Sequence, residues 1–260
     1  MFSKKALLSI VGALVFACRA FAHSPYLLPN EFDVSTRDHV SVQASLTEKF
    51  FVPDVVMKAT AWHVVGPDGS STPLTPVYTK DVAILDVDTL QPGTYRISTG
   101  VRDGRVAKAT IDGGEWKMVR EGAAPPANGK VYDIKSFTLA EVYVSRGAQS
   151  DRALAPTNKG LEFQMLTHPG KLLAGGEARM RVLFDGKPVK GQVATLHRAL
   201  ESNGDSPAEE SVTSNDEGVL AIRLPQAGLY HAQLRYRFVL PGEATKAESH
   251  TYAVTLDVGE

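Results

Sequence analysis

The chain has almost no cysteine: among 260 residues only Cys18 is present. It lies within a leader-like start, so the working chain has no thiol with which to close a disulfide, and its stability has to come from packed cores. Long apolar runs are equally scarce. The one that stands out, ALLSIVGALVFA after MFSKK, spans about a dozen residues, the length of a secretory h-region, whereas a membrane span needs roughly 20. Basic charge is not in excess either. The leader holds Lys4, Lys5 and Arg19 and no acid, which leaves 25 of the 28 basic residues against 29 acidic ones. A chain with a net charge near −4 and no basic stripe gives no reason to expect nucleic acid as a partner. Catalytic motifs are missing too: no Gly-x-Ser-x-Gly elbow, His-Glu-x-x-His helix, phosphate-binding glycine loop or Cys-x-x-Cys. No enzyme is expected.

What is present begins with export. Ala20-Phe21-Ala22 places small residues at −3 and −1 before His23, so residues 1–22 read as a signal peptide and the destination as the periplasm. Two other cuts compete. VFAC would make Cys18 a lipid anchor, although Phe16 is bulky for such a box. A cut after Ala20 would begin the chain Phe21-Ala22-His23, a square-planar nest suited to copper(II) or nickel(II).

Beyond the leader, period-2 alternation dominates and no amphipathic helix exceeds two turns. Val40, Val42, Ala44 and Leu46 alternate with polar residues. VAILDVDTLQPGTYRIST reads as strand, turn, strand, and KVYDIKSFTLAEVYVS as a strand with a short helical turn. REGAAPPANGK is a Pro/Gly/Ala loop, and the polar Arg146–Gly160 stretch is read as a connection between domains. After it come about seven short strands with turns near every ten residues, the spacing of an immunoglobulin-like sandwich. In LYHAQLRYRF, Tyr230, Ala232, Leu234, Tyr236 and Phe238 fall on one face, and His231, Gln233, Arg235 and Arg237 on the other. The expected architecture is all-β, with two β-sandwich domains: residues 23–160, and an immunoglobulin-like domain at 161–260. Trp62 and Trp116 fit packing better than a sugar platform, and Met165 and Met180 fit strand cores.

Seven histidines carry what chemistry remains. Neutral imidazole is a ligand for nickel, copper, zinc and iron. At a free amino end, His23 offers its α-amine and Nδ1 to one ion as a chelate, and an α-amine of pKa about 8 gives up its proton cheaply at neutral pH. The candidate metal ligands are His23, His250, His231 and His168. His63 beside Trp62 reads as packing, and His39 and His197 as surface or strand-end residues.

These residues lie within a wider resemblance. AHSPYLLPNEF, AEVYVSRG, GLEFQMLTHPGKLLAGGEARMRVLFDGKPVKGQV, NDEGVLAIRLPQAGLYHAQ and TYAVTLDV resemble the NikM-like periplasmic proteins over nearly the whole exported chain. The resemblance implies a periplasmic metal-binding role beside a cobalt/nickel transporter or an outer-membrane receptor, with nickel or cobalt as the ion and His23 as the residue carried over; copper enters through the chemistry of the ligands. The competing readings are a non-metal β-sandwich binding or assembly module of the cell envelope, and a copper enzyme built on a two-histidine brace.

Overall fold

In the computed structural model, residues 23–120, 122–124, 129–199 and 209–260 are described. The leader with Cys18, and residues 121 and 125–128 of the Pro/Gly/Ala loop, lie outside them. The first half contains β1 (Ser24–Pro29), β2 (His39–Thr47), β3 (Val55–Val56), β4 (His63–Val65), β5 (Ser71–Pro73), β6 (Val77–Tyr78), β7 (Ala83–Asp88), β8 (Gly93–Ser98), β9 (Arg102–Asp112), β10 (Glu115–Met118) and β11 (Val131–Arg146). The second contains β12 (Leu161–Met165), β13 (Gly176–Phe184), β14 (Lys187–Pro188), β15 (Val193–Arg198), β16 (Glu209–Thr213), β17 (Val219–Leu224), β18 (Gly228–Val239) and β19 (Lys246–Val258). The protein is all-β, and among the described residues two short 3-10 turns lie in the stretch that leads into and out of β12.

One topology is used twice. In the first half β1-β2-β7 form one layer and β5-β4-β8-β11 the other; in the second half β12-β13-β17 face β16-β15-β18-β19. Each half is thus a sandwich of immunoglobulin type, three strands on four, with a core between its layers. Leu27, Val40, Val42, Leu85 and Ile97 are among those that fill the first core. Phe163, Met180, Leu220, Ile222, Tyr230 and Tyr252 are among those that fill the second. The alternation of β2 delivers Val40, Val42 and Ala44 inward, all fully buried.

The repeat is also local. Gln91-Pro92-Gly93-Thr94-Tyr95 and Gln226-Ala227-Gly228-Leu229-Tyr230 both open the sixth sandwich strand of their half. The Tyr95 hydroxyl donates to the Gln91 carbonyl at 2.7 Å, and that of Tyr230 donates to the Gln226 carbonyl at 2.8 Å. This is the tyrosine corner, which fixes the chain as it crosses from one layer to the other. Accordingly β7 and β8 lie in different sheets and are not the hairpin that strand–turn–strand suggests. Gly93 has φ +133°, and a Cβ there would meet Pro67 Cβ at 2.5 Å, so only glycine fits the corner.

The halves are joined edge to edge. β11 and β19 pair in parallel over ten residues, from Asp133 opposite Lys246 to Val142 opposite Thr255. The two four-stranded layers thereby merge into one sheet that runs across residue 160. The β9–β10 hairpin extends this sheet along the first half of β11. β11 is a single 16-residue strand without the helical turn expected in it. Covered on both faces along much of its length, it loses the alternation that marks a half-exposed strand. β8 is buried at all six positions for the same reason.

Candidate metal-binding corner

β1 pairs with β2 from Ser24 opposite Thr47, which sets His23 beside Glu48. The His23 ring Nε2 lies 3.9 Å from Glu48 Oε1, and both side chains are exposed. From there β1 packs across β11 and β19, and at its start Pro25 meets the face of β18 that looks away from the second core. His231 rises from that face and is fully buried. Its Nε2 lies 2.8 Å from the Pro25 carbonyl oxygen, which can only accept, so Nε2 carries the proton and donates. Nδ1 is left with a buried lone pair and no hydrogen-bond partner among the described residues.

Two further rings close the corner. Phe50, from the loop after β2, stacks on His231 at 4.0 Å with an interplanar angle of 23°. His197 is the register partner of His231 on β15; its ring centre is 5.0 Å from Phe50 and 6.3 Å from His231. Burial pulls the pKa of His231 down to about 3, partly opposed by the bond to Pro25, while the neighbouring His197 lowers it further. A neutral imidazole that donates one nitrogen to a backbone carbonyl and leaves the other without a partner is set up as metal ligands usually are.

Two of the expected ligands lie elsewhere. His168 has both ring nitrogens engaged: Nδ1 accepts from the Gly170 amide at 3.0 Å, and Nε2 lies 3.0 Å from the Thr94 hydroxyl. It caps a 3-10 turn and ties β8 to the second half. His250 has Nε2 2.8 Å from Glu248 Oε2 and stacks on Phe137 at 4.7 Å. The four histidines therefore do not gather at one point. Among the described residues no group of three or more His, Cys, Asp or Glu is arranged to hold a metal ion. Of the four histidines, His231 is joined to the amino-terminal strand through the Pro25 carbonyl, two residues after His23; around them lie Glu48 beside His23, and His197 and Phe50 beside His231, which the sequence alone does not nominate. His197 reads as a surface residue until the pairing of β15 with β18 places it opposite His231.

The buried, neutral His231 has a consequence for stability. In the unfolded chain an imidazole titrates near pKa 6.5, whereas in the fold it resists protonation down to about 3. The unfolded state therefore binds the extra proton first, and stability falls as pH drops from about 6.5 towards 3, by up to about 1.4 kcal/mol per pH unit. Urea unfolding of metal-free protein across that range is expected to show this acid loss, with a shallower dependence in His231→Gln. The same slope in both proteins would contradict the assignment.

The fold and this corner define a tandem immunoglobulin-type β-sandwich protein whose first strand sets a backbone carbonyl, that of Pro25, on a buried histidine of the second sandwich. The chain belongs to the family described as Domain of unknown function (DUF4198), which it matches over residues 20–237. No curated protein matches it. Among solved structures it is similar to the D0-D1 domain of intimin, with 9% identity, 90% of this chain and 97% of that chain covered, and a TM-score of 0.21. A DUF4785 family protein from Legionella pneumophila matches at 12% identity over 80% of this chain and 50% of its own, with a TM-score of 0.23. A marsupial T cell receptor matches at 12% identity over 91% and 73%, with a TM-score of 0.22.

Proposed function

We propose that the chain is a periplasmic, non-enzymatic carrier of a divalent transition metal, of the NikM-like kind, that holds its ion at the corner between His23 and His231. The observation that carries this reading is the buried Nδ1 of His231, which has no partner among the described residues while Nε2 is fixed to Pro25. Pro25 is two residues from His23, so cleavage before His23 would bring an α-amine and a second imidazole to the same region. Glu48 adds an oxygen donor beside the His23 ring. Nitrogen-rich sites of this type suit nickel, cobalt and copper, and copper(II) binds tightest wherever geometry does not decide. The NikM-like resemblance favours nickel or cobalt as cargo, handed to a transporter or an outer-membrane receptor.

The test is calorimetric titration of nickel, cobalt and copper into protein recovered from the periplasm, with its amino end established by intact mass. One equivalent is expected to bind, and His23→Ala, an exposed change, is expected to weaken binding at least tenfold. His231→Gln should do the same in protein that remains folded. A flat titration with all three metals, or a His23→Ala variant that binds as the parent does, would remove the reading.

A further inference from the structure

A second constellation lies on the same face of the merged sheet, beyond the amino-terminal corner. Register places Arg235 of β18 opposite Thr251 of β19, Thr251 opposite Thr138 of β11, and Thr138 opposite Arg102 of β9. The next row along that face holds Arg237, Ser249 and Ser136. Residues in register point the same way, and residues two apart on a strand share a face. Four hydroxyls thus form a floor between arginines on both sides, about 14 Å across three strand spacings and about 7 Å deep along the strands.

The arginines are held but not neutralised. Arg235 Nε donates to Thr251 Oγ1 at 3.0 Å, and Arg237 Nε donates to Ser249 Oγ at 3.3 Å. Arg102 Nε donates to the Lys58 carbonyl at 2.9 Å. Each bond uses the inner nitrogen of a guanidinium and leaves its outer fork available. None of the three arginines is in an ion pair among the described residues. The acids nearest the floor lie on the opposite face, already matched: Asp103 with Lys135 at 3.1 Å, Asp133 with Lys108 at 2.5 Å, and Glu248 with His250 at 2.8 Å; Asp257, on the floor's own face, stands at the far end of β19. Around the floor the charges are sorted, with paired acids on one side of the sheet and guanidiniums outside any ion pair among the described residues on the other.

Half-buried like charges without a counter-charge are costly. Burial pulls the pKa of Arg237 down to about 10, and the adjacent Arg235 adds to the fall. An arginine needed only for packing would not require a hydroxyl floor, nor neighbouring carboxylates turned to the opposite face. Guanidinium forks over hydroxyl donors are suited to carboxylate and phosphate oxygens.

We propose that the face formed by Arg102, Arg235 and Arg237 over Ser136, Thr138, Ser249 and Thr251 binds a small ligand carrying two or more negative charges on carboxylate or phosphate groups. The site is separate from the metal-binding corner and does not depend on it.

Calorimetric titration of the exported chain with citrate and with inorganic phosphate, against sodium chloride at matched ionic strength, tests the assignment. At least one anion is expected to bind saturably at one equivalent; saturation by citrate alone identifies a carboxylate ligand, and by phosphate alone a phosphate ligand. R237Q and R102Q are each expected to weaken binding at least tenfold. R237K, which keeps the charge but loses the fork, should fall between them and the parent, and Lys135→Gln on the opposite face should leave binding unchanged. Should R237Q fail to fold, R237K and R102Q carry the comparison. Neither anion binding beyond the chloride control, or all the arginine variants binding as tightly as the parent, would overturn the proposal.

Discussion

Glu141→Gln is expected to destabilise the protein by about 3–5 kcal/mol, the loss typical when one partner of a buried ion pair is removed. Glu141 on β11 and Arg96 on β8 are 4% and 6% exposed, respectively, so solvent does little to screen them. Arg96 Nε lies 3.7 Å from Glu141 Oε1, and Arg96 Nη1 donates to the Ala155 carbonyl at 3.0 Å. The other carboxylate oxygen accepts from the Tyr252 hydroxyl of β19 at 2.6 Å. Burial, reinforced by the Glu141 charge, pushes the Tyr252 phenol well above its ordinary value, so it remains a donor. One carboxylate therefore connects a strand of the first sandwich to the closing strand of the second, and its guanidinium partner extends the link to the connecting segment. Glutamine would still accept from Tyr252, but it would leave a buried guanidinium without a counter-charge. Among the described residues the Arg96 Nε and Tyr143 hydroxyl already lack hydrogen-bond partners, so little slack remains to absorb the change. In urea the midpoint should fall with little change in slope. Adding Arg96→Met to Glu141→Gln should recover part of the loss, because the uncompensated charge goes with it. A Glu141→Gln protein within about 1 kcal/mol of the parent, a range ordinary for substitutions that break no such network, would show that the pair does not hold the halves together.

Strand content was legible wherever one face of a strand is dry and the other wet. β2 and the first part of β18 alternate in sequence because each meets an apolar core on one side: Tyr230, Ala232 and Leu234 enter the second core, as their spacing requires, while the other face carries polar side chains even where, as at His231, it is buried. Where both faces are covered, alternation fades, and β8 and β11 lost their signature for that reason. The merger of the two sandwiches through β11 and β19 was hidden because a parallel ladder between strands about a hundred residues apart leaves no local mark. The twin corners at Tyr95 and Tyr230 do leave one, the Gln-x-Gly-x-Tyr pattern, although the sequence reading treated these segments only as turns. The candidate site divides along the same line. His23 is conspicuous from its place after Ala-Phe-Ala, and His231 from its place in a strand. His197 is identified only by register, and the partners that occupy His168 and His250 come largely from residues brought near by folding. Arg235 and Arg237 were correctly placed on one face, yet the turning of the nearby acids Asp103, Asp133 and Glu248 to the other face is a property of four strands together.

The second half, residues 161–260 expressed alone, is expected not to persist as a stable monomer, even though it contains a complete seven-strand sandwich. Cutting at residue 160 exposes the ten-residue edge of β19 that pairs with β11, a long, flat edge of the kind that recruits another strand. It also uncovers Ala253, which packs in the first core, and strips His231 of Pro25 and Tyr252 of Glu141. The second core loses Tyr143 of β11 as well. Apolar surface and polar groups that were satisfied across the junction would face water together, and together they exceed the few kcal/mol by which a domain of this size is ordinarily stable. Size-exclusion chromatography with light scattering should find the fragment aggregated or paired through its free edge. Co-expression with residues 23–160 should restore a 1:1 complex, since the missing edge is then supplied. The intact exported chain should unfold in urea as one transition followed alike by tryptophan fluorescence, from Trp62 and Trp116 in the first half, and by far-UV circular dichroism over both halves. A monomeric fragment with the same unfolding midpoint as the intact chain would mean that each sandwich stands by itself and that the shared sheet contributes nothing to stability. A fragment that folds only when its partner edge is present would make the β11–β19 ladder the element on which the tandem fold depends.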